Sequence, residues 1–146
     1  MRSETLLYTS LATALLGTLA CRGATEPTVV AGSYFGMVQC SASAIAESYD
    51  ITFILSDAGG KVTGTWSAVN CVGSGTIVGT VSGTTLSATM NQTSPCPASY
   101  TMTADADEGT RLDGSYSGTA CLVQETGAVT HYATSGGFTA FRYRTP

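Results

Sequence analysis

The sequence predicts an all-β fold of about eight antiparallel strands, an up-and-down meander closed into a small barrel with two disulfides at one rim. Three observations carry this reading. Gly, Ser, Thr, Val and Ala are in excess while Lys is almost absent, so strands and turns are favoured over surface helices laced with ion pairs. Segments of period-two alternation are separated by short Gly-rich turns. Val62-Thr-Gly-Thr-Trp-Ser-Ala-Val-Asn-Cys71 returns as Leu112-Asp-Gly-Ser-Tyr-Ser-Gly-Thr-Ala-Cys121, and more loosely as Gly32-Ser-Tyr-Phe-Gly-Met-Val-Gln-Cys40. Each copy places a Gly, a hydroxyl residue and an aromatic ahead of a cysteine, as equivalent strands would. Short sequential connections favour a meander, and closure removes its exposed edges.

The predicted elements follow in order. Residues 25–31 read as a tether broken by Glu26-Pro27, and Gly32–Cys40 is the first strand. Ser41–Ser48 is a loop or one helical turn. In the second strand Tyr49, Ile51, Phe53 and Leu55 alternate with Asp50, Thr52, Ile54 and Ser56, and Asp57-Ala-Gly-Gly60 turns the chain. Lys61–Cys71 follows, with Val62, Gly64, Trp66 and Ala68 on one face. Thr76–Ser82 and Thr85–Asn91 flank the tight turn Gly83-Thr84. Gln92–Pro97 holds two prolines and is a loop. Ala98–Ala104 and Thr110–Cys121 flank an acidic turn, residues 122–135 form a longer loop with a short extended piece near 128–132, and Gly136–Arg144 closes the chain.

The N-terminus is a separate unit. A short n-region precedes the apolar run Leu6–Ala20, which is shorter than the roughly 20 apolar residues of a membrane span and has signal-peptide proportions. Residues 1–20 are therefore expected to be a signal peptide, 21–31 a tether and 32–146 the barrel domain. Thr18-Leu-Ala-Cys21 resembles the lipobox of bacterial lipoproteins, with Thr18 where that family prefers Leu. The resemblance implies lipidation of Cys21, attachment to the cell envelope through that lipid alone, and, because Arg22 rather than Asp follows, the outer membrane of a Gram-negative cell. Ordinary cleavage after Ala20 would instead give a secreted chain.

Cysteine arithmetic fits lipidation. There are five cysteines, and a lipid on Cys21 leaves four to pair. Strands of alternating direction bring Cys40, Cys71, Cys96 and Cys121 to one rim. Neighbouring loops suggest Cys40–Cys71 with Cys96–Cys121, or alternatively Cys71–Cys96 with Cys40–Cys121, and spacing does not choose among the three connectivities. An exported chain without a Cys-x-x-Cys pair favours disulfides over zinc.

The stretch from Asp50 to Trp66, an alternating strand, a Gly turn, then Gly, a small residue and an aromatic, resembles a hairpin of the avidin and lipocalin barrels. The resemblance implies their fold and transfers no site residues, since Gly32-Ser-Tyr34 stands where lipocalins have Gly-x-Trp.

No catalytic pattern emerges. His131, the one histidine, has no partner in sequence that would make it an oriented base. Asp105, Asp107 and Glu108 read as a solvated turn without calcium-loop spacing. No cofactor or metal is expected, and 11% charged residues with a net charge of −4 argue against nucleic acid. Two readings of the interior stand side by side: a filled core, or a pocket lined by Phe53, Trp66, Met90, Tyr100, Tyr116 and Phe138 opening at the cysteine rim. The expected function is binding without catalysis, of a small apolar ligand or of a partner at the rim loops. A purely structural envelope protein and a hydrolase with dispersed carboxylates, Asp113 for instance, are the alternatives. Oligomeric state is not set by the sequence.

Overall fold

A computed structural model of the protein describes residues 28–41 and 47–143. The expected signal peptide, the lipobox with Cys21 and Arg22, the first part of the tether, residues 42–46 and Arg144 lie outside them. The chain forms β1 (Gly32–Cys40), β2 (Glu47–Ala58), β3 (Lys61–Ala68), β4 (Gly73–Ser82), β5 (Thr85–Ser94), β6 (Ala98–Asp107), β7 (Arg111–Val123) and β8 (Val129–Tyr143). Each strand pairs antiparallel with the next, and β8 returns to β1, which closes the barrel. All-β class, meander order and closure are as the sequence predicts.

The alternation sorts side chains in and out. On β2, Ile51, Phe53 and Leu55 are buried while Asp50, Ile54 and Ser56 face outward. On β6, Tyr100, Met102, Ala104 and Ala106 are buried between exposed neighbours. One continuous core results, from Tyr34 and Val38 through Trp66, Ile77, Leu86 and Met90 to Tyr116 and Phe138.

Several boundaries differ from expectation, for local reasons. Residues 122–135 are not a loop: β7 and β8 continue as a paired hairpin with Val123 opposite Val129. Leu122, Val123, Val129 and His131 are all exposed there. A ribbon projecting past the barrel has no buried face, so the alternation that marks a strand is missing. Glu47 and Ser48, expected in a loop, open β2 opposite Cys40 and Gln39. Asp105 and Asp107 belong to β6, and the turn shortens to the three residues Glu108–Thr110, with Glu108 and Gly109 at positive φ (47° and 68°) and the Thr110 N–H donating to the Asp107 carbonyl at 2.8 Å. At the other end Cys71 lies past β3, where its N–H and that of Val72 donate to the Ala68 carbonyl.

The two rims are closed differently. Cys40–Cys71 and Cys96–Cys121 are bonded, with Cα atoms 5.8 and 5.6 Å apart, so all four cysteines gather at one rim in the neighbouring-loop pairing. The opposite rim is crossed by Thr28–Ala31, in the segment expected to be tether. The Thr28 N–H donates to the Gly83 carbonyl at 3.0 Å, and Val30 is fully buried. The Tyr34 hydroxyl lies 3.1 Å from the Val30 carbonyl and 2.9 Å from that of Gly109. The strap is thus tied to the hairpin turns it covers.

Candidate functional site

The six residues predicted to line a pocket do come together inside the barrel. All are at most 5% exposed, and they pack on one another. Phe53 and Phe138 have ring centroids 5.3 Å apart, Trp66 meets Tyr100 edge-on at 5.8 Å, and Tyr100 meets Tyr116 edge-on at 5.9 Å. These are favourable aromatic geometries. They fill the centre, as an eight-stranded barrel of ordinary diameter permits.

The polar ends of these side chains are satisfied near the disulfide rim. Trp66 Nε1 donates to the Thr76 carbonyl at 3.1 Å. The Tyr100 hydroxyl donates to Gln92 Oε1, and Gln92 Nε2 donates to the Cys121 carbonyl at 2.9 Å. The Cys121 N–H returns to Gln92 Oε1 at 3.3 Å. Tyr116 donates to the Gln39 carbonyl at 3.1 Å. Burial pushes the Tyr100 and Tyr116 phenols above the usual tyrosine range. Buried, partnered and protonated, this network reads as a stapled core.

The distinctive chemistry is on the outer wall. Across β3–β6 the outward residues are mostly hydroxyl-bearing: Thr65, Thr76, Asn91 and Ser99 follow one another in register, as do Thr63, Val78, Thr89 and Thr101. Across β7, β8, β1 and β2 the wall changes character. One row runs Arg111, Phe141, Phe35, Thr52, and the next runs Asp113, Thr139, Met37, Asp50. Phe35 is 53% and Phe141 57% exposed, and Met37, Ile54 and Tyr143 are exposed beside them. A cluster of large apolar side chains on the outside of a strand wall is a feature that monomeric surfaces usually limit.

Next to this cluster lies a groove of about 390 Å³, lined by Met37, Gln39, Ser48, Asp113, Gly137 and Thr139. Its size falls within the roughly 300–1,000 Å³ of small-molecule sites. Gly137 forms its open centre: a Cβ there would meet nothing nearer than the Gly114 carbonyl at 3.7 Å and Gln39 Oε1 at 3.9 Å. Its neighbours differ. A Cβ on Gly114, Gly118 or Gly136 would come within 1.8–2.4 Å of a backbone oxygen. Those glycines are required by strand contact, whereas Gly137 is not.

Asp113 is held at the groove's edge. Thr139 Oγ1 donates to Asp113 Oδ1 at 2.6 Å, and Arg111 Nη2 reaches Asp113 Oδ2 at 2.5 Å. The Thr139 hydrogen bond and the Arg111 guanidinium hold its carboxyl below the usual carboxylate range. The Arg111 guanidinium also sits 5.6 Å above the Phe141 ring centroid, within cation–π distance. The Gln39 amide and Ser48 hydroxyl, both on exposed residues, have no hydrogen-bond partner among the described residues.

Sequence reasoning did not single out this wall. Its signal was present: alternation assigns Phe35, Met37, Ile54 and Phe141 to the outward register, where apolar residues have no core to serve. What was missing is adjacency, since β1 and β8 are neighbours only after closure. His131 stands exposed on β8 opposite Cys121. Asp105, Asp107 and Glu108 are likewise exposed, at the rim opposite the disulfides. Compared with protein-family models and with curated proteins, the chain matches none.

Proposed function

We propose that this protein is an exported, non-catalytic recognition module, anchored to the bacterial envelope by a lipid on Cys21 and binding its target on the outer wall of β7–β8–β1–β2. The observation that carries the reading is the asymmetry of exposed apolar side chains: the barrel centre is filled by packed aromatics, while Phe35, Met37, Ile54, Phe141 and Tyr143 gather on this wall beside a groove, and the groove of similar size on the β4–β6 wall is bordered by outward residues that mostly carry hydroxyls. Two disulfides suit an oxidising compartment. A rigid barrel supports binding at low entropic cost, because the wall is held by strand pairing and is ordered before the target arrives.

The test is co-sedimentation of the protein exported without its lipid (residues 22–146) with the insoluble envelope of the cells that produce it. The wild-type sequence in this unlipidated form is expected in the pellet, and the same form carrying Gly137→Val, which fills the groove from outside, in the supernatant. Equal sedimentation of the two, or none by wild type, would overturn the reading. Intact-mass analysis of protein recovered from those cells supplies the second arm: a diacylglyceryl adduct on Cys21 supports anchoring, and an unmodified Cys21 removes it.

A further inference from the structure

We infer that the groove at Gly137 is a binding site for a neutral oligosaccharide, whose chain runs along β8 and β1 from Gly137 across Met37 to the Phe35 and Phe141 rings; the inference rests on the outer wall being the binding face. Charge, polarity and length each narrow the ligand class.

Charge comes first. The acid in the groove, Asp113, is already paired with Arg111, so it offers hydrogen-bond acceptors without demanding a cation. An anionic ligand would meet that carboxylate directly, and the Arg111 guanidinium beside it is already engaged. A neutral ligand rich in hydroxyl donors is the remaining match, since a carboxylate whose two oxygens each hold one partner still has lone pairs for further O–H donors.

Polarity excludes two other classes. A purely apolar ligand would bury Asp113, Thr139, Gln39 and Ser48 without replacing their water, at a cost for each group. An extended peptide added by strand pairing needs a free sheet edge, and along the stretch from Phe138 to Phe141, past Met37 and Phe35, β8 is already paired on both sides, with β1 and β7. Sugar rings present what this surface complements: C–H faces for Met37, Phe35 and Phe141, and equatorial hydroxyls for the Gln39 amide, the Ser48 hydroxyl and Asp113.

Length follows from register. From Gly137 to Phe141 is four residues along one strand, roughly 13 Å at strand rise. That is longer than a single pyranose ring, so an oligomer spans groove and rings while a monosaccharide reaches only one. The glycine at 137 then has a purpose that the backbone does not supply, which is to keep the groove open.

The experiment uses the exported, disulfide-bonded protein, isotope-labelled, with backbone amide shifts followed by NMR. The probes are neutral tetrasaccharides of β-1,4-linked N-acetylglucosamine, β-1,4-linked glucose and α-1,4-linked glucose, their monosaccharides, and a lysine-rich peptide as the cationic control. At least one tetrasaccharide is expected to shift amides around Gly137, Gln39 and Thr139, and to bind about tenfold more tightly than its monosaccharide. Gly137→Val is expected to weaken that binding at least about tenfold with an unchanged thermal midpoint, and Asp113→Asn, which retains an acceptor oxygen, to weaken it less. Silence from every saccharide, equal binding by Gly137→Val, or a response to the lysine peptide alone would overturn the saccharide assignment. If saccharides are silent while envelope co-sedimentation is still lost in Gly137→Val, the assignment fails and the outer-wall reading stands. If both fail, the wall is not the binding face.

Discussion

Asp57 accepts the backbone N–H of Val30 at 3.1 Å, and with its other carboxylate oxygen it accepts the N–H of Gly60 at 2.8 Å. One side chain at the end of β2 thus pins both its own hairpin turn and the strap that covers the rim. Removing it leaves two backbone donors without their charged acceptor. Asp57→Ala is expected to lower the unfolding free energy by about 1–3 kcal/mol, and Asp57→Asn, which keeps one acceptor, by roughly half as much. Urea midpoints with an unchanged m-value would check this; an Ala variant as stable as wild type would show that the clamp contributes nothing net.

The disulfide rim has a separable contribution. The bonds span 31 and 25 residues, for which the chain-entropy relation gives about 3.5 kcal/mol each at 25 °C. The paired variants Cys40→Ala/Cys71→Ala and Cys96→Ala/Cys121→Ala should each lose stability of this order, and the second more visibly loosen the Gln92–Cys121 hydrogen bonds beside it. Denaturant unfolding measures the first effect, and amide exchange at Cys121, preserved as Ala in that variant, the second.

Adjacent glycines should behave oppositely. A Cβ on Gly136 would stand 1.8 Å from the Gln39 carbonyl oxygen, an overlap that only backbone movement relieves. Gly137 has no contact nearer than 3.7 Å. Gly136→Ala is expected to destabilise by about 3 kcal/mol or more, and Gly137→Ala to be neutral or to stabilise by about 0.4–1 kcal/mol through the unfolded chain. Thermal unfolding of the two single variants decides the contrast, and equal losses would remove the distinction on which the open groove rests.

Alkaline pH should reveal the filled centre. Burial raises the pKa values of Tyr34, Tyr100 and Tyr116 above 10.0, so the folded state holds these protons where the unfolded chain releases them. Their contribution to stability is present in full below about pH 10, the unfolded tyrosine range, and is lost as pH rises from there toward the raised folded values. Tyrosinate absorbance from these residues should therefore grow together with loss of far-ultraviolet strand signal. Full titration of all tyrosines with the fold intact would contradict a closed, packed interior.

Much of the fold was legible because its causes are local. Period-two alternation at Tyr49–Ser56, turn glycines at Gly59 and Gly60, and the prolines Pro95 and Pro97 each report on a few neighbouring residues, though the loop expected from Gln92 begins only after Ser94, because Gln92–Ser94 continue β5 up to the first proline. The alternation also determines parity, so strands of alternating direction had to bring four cysteines to one rim. Where a strand lacks a buried face, as in the hairpin from Leu122 to His131, the local signal vanishes and the sequence reads as loop.

The sequence by itself thus determined the class, the meander, the gathering of the cysteines and the inward set of aromatics, because each follows from residue order and strand period. Only the tertiary structure decided that those aromatics meet ring to ring and fill the barrel, since volume is settled by the closure diameter and by side chains from opposite walls. It alone brought Phe35 beside Phe141 and Gln39 over Gly137, residues about a hundred positions apart that become neighbours when β8 pairs with β1. Closure is a long-range event, and the surface it creates has no counterpart in any single stretch of chain.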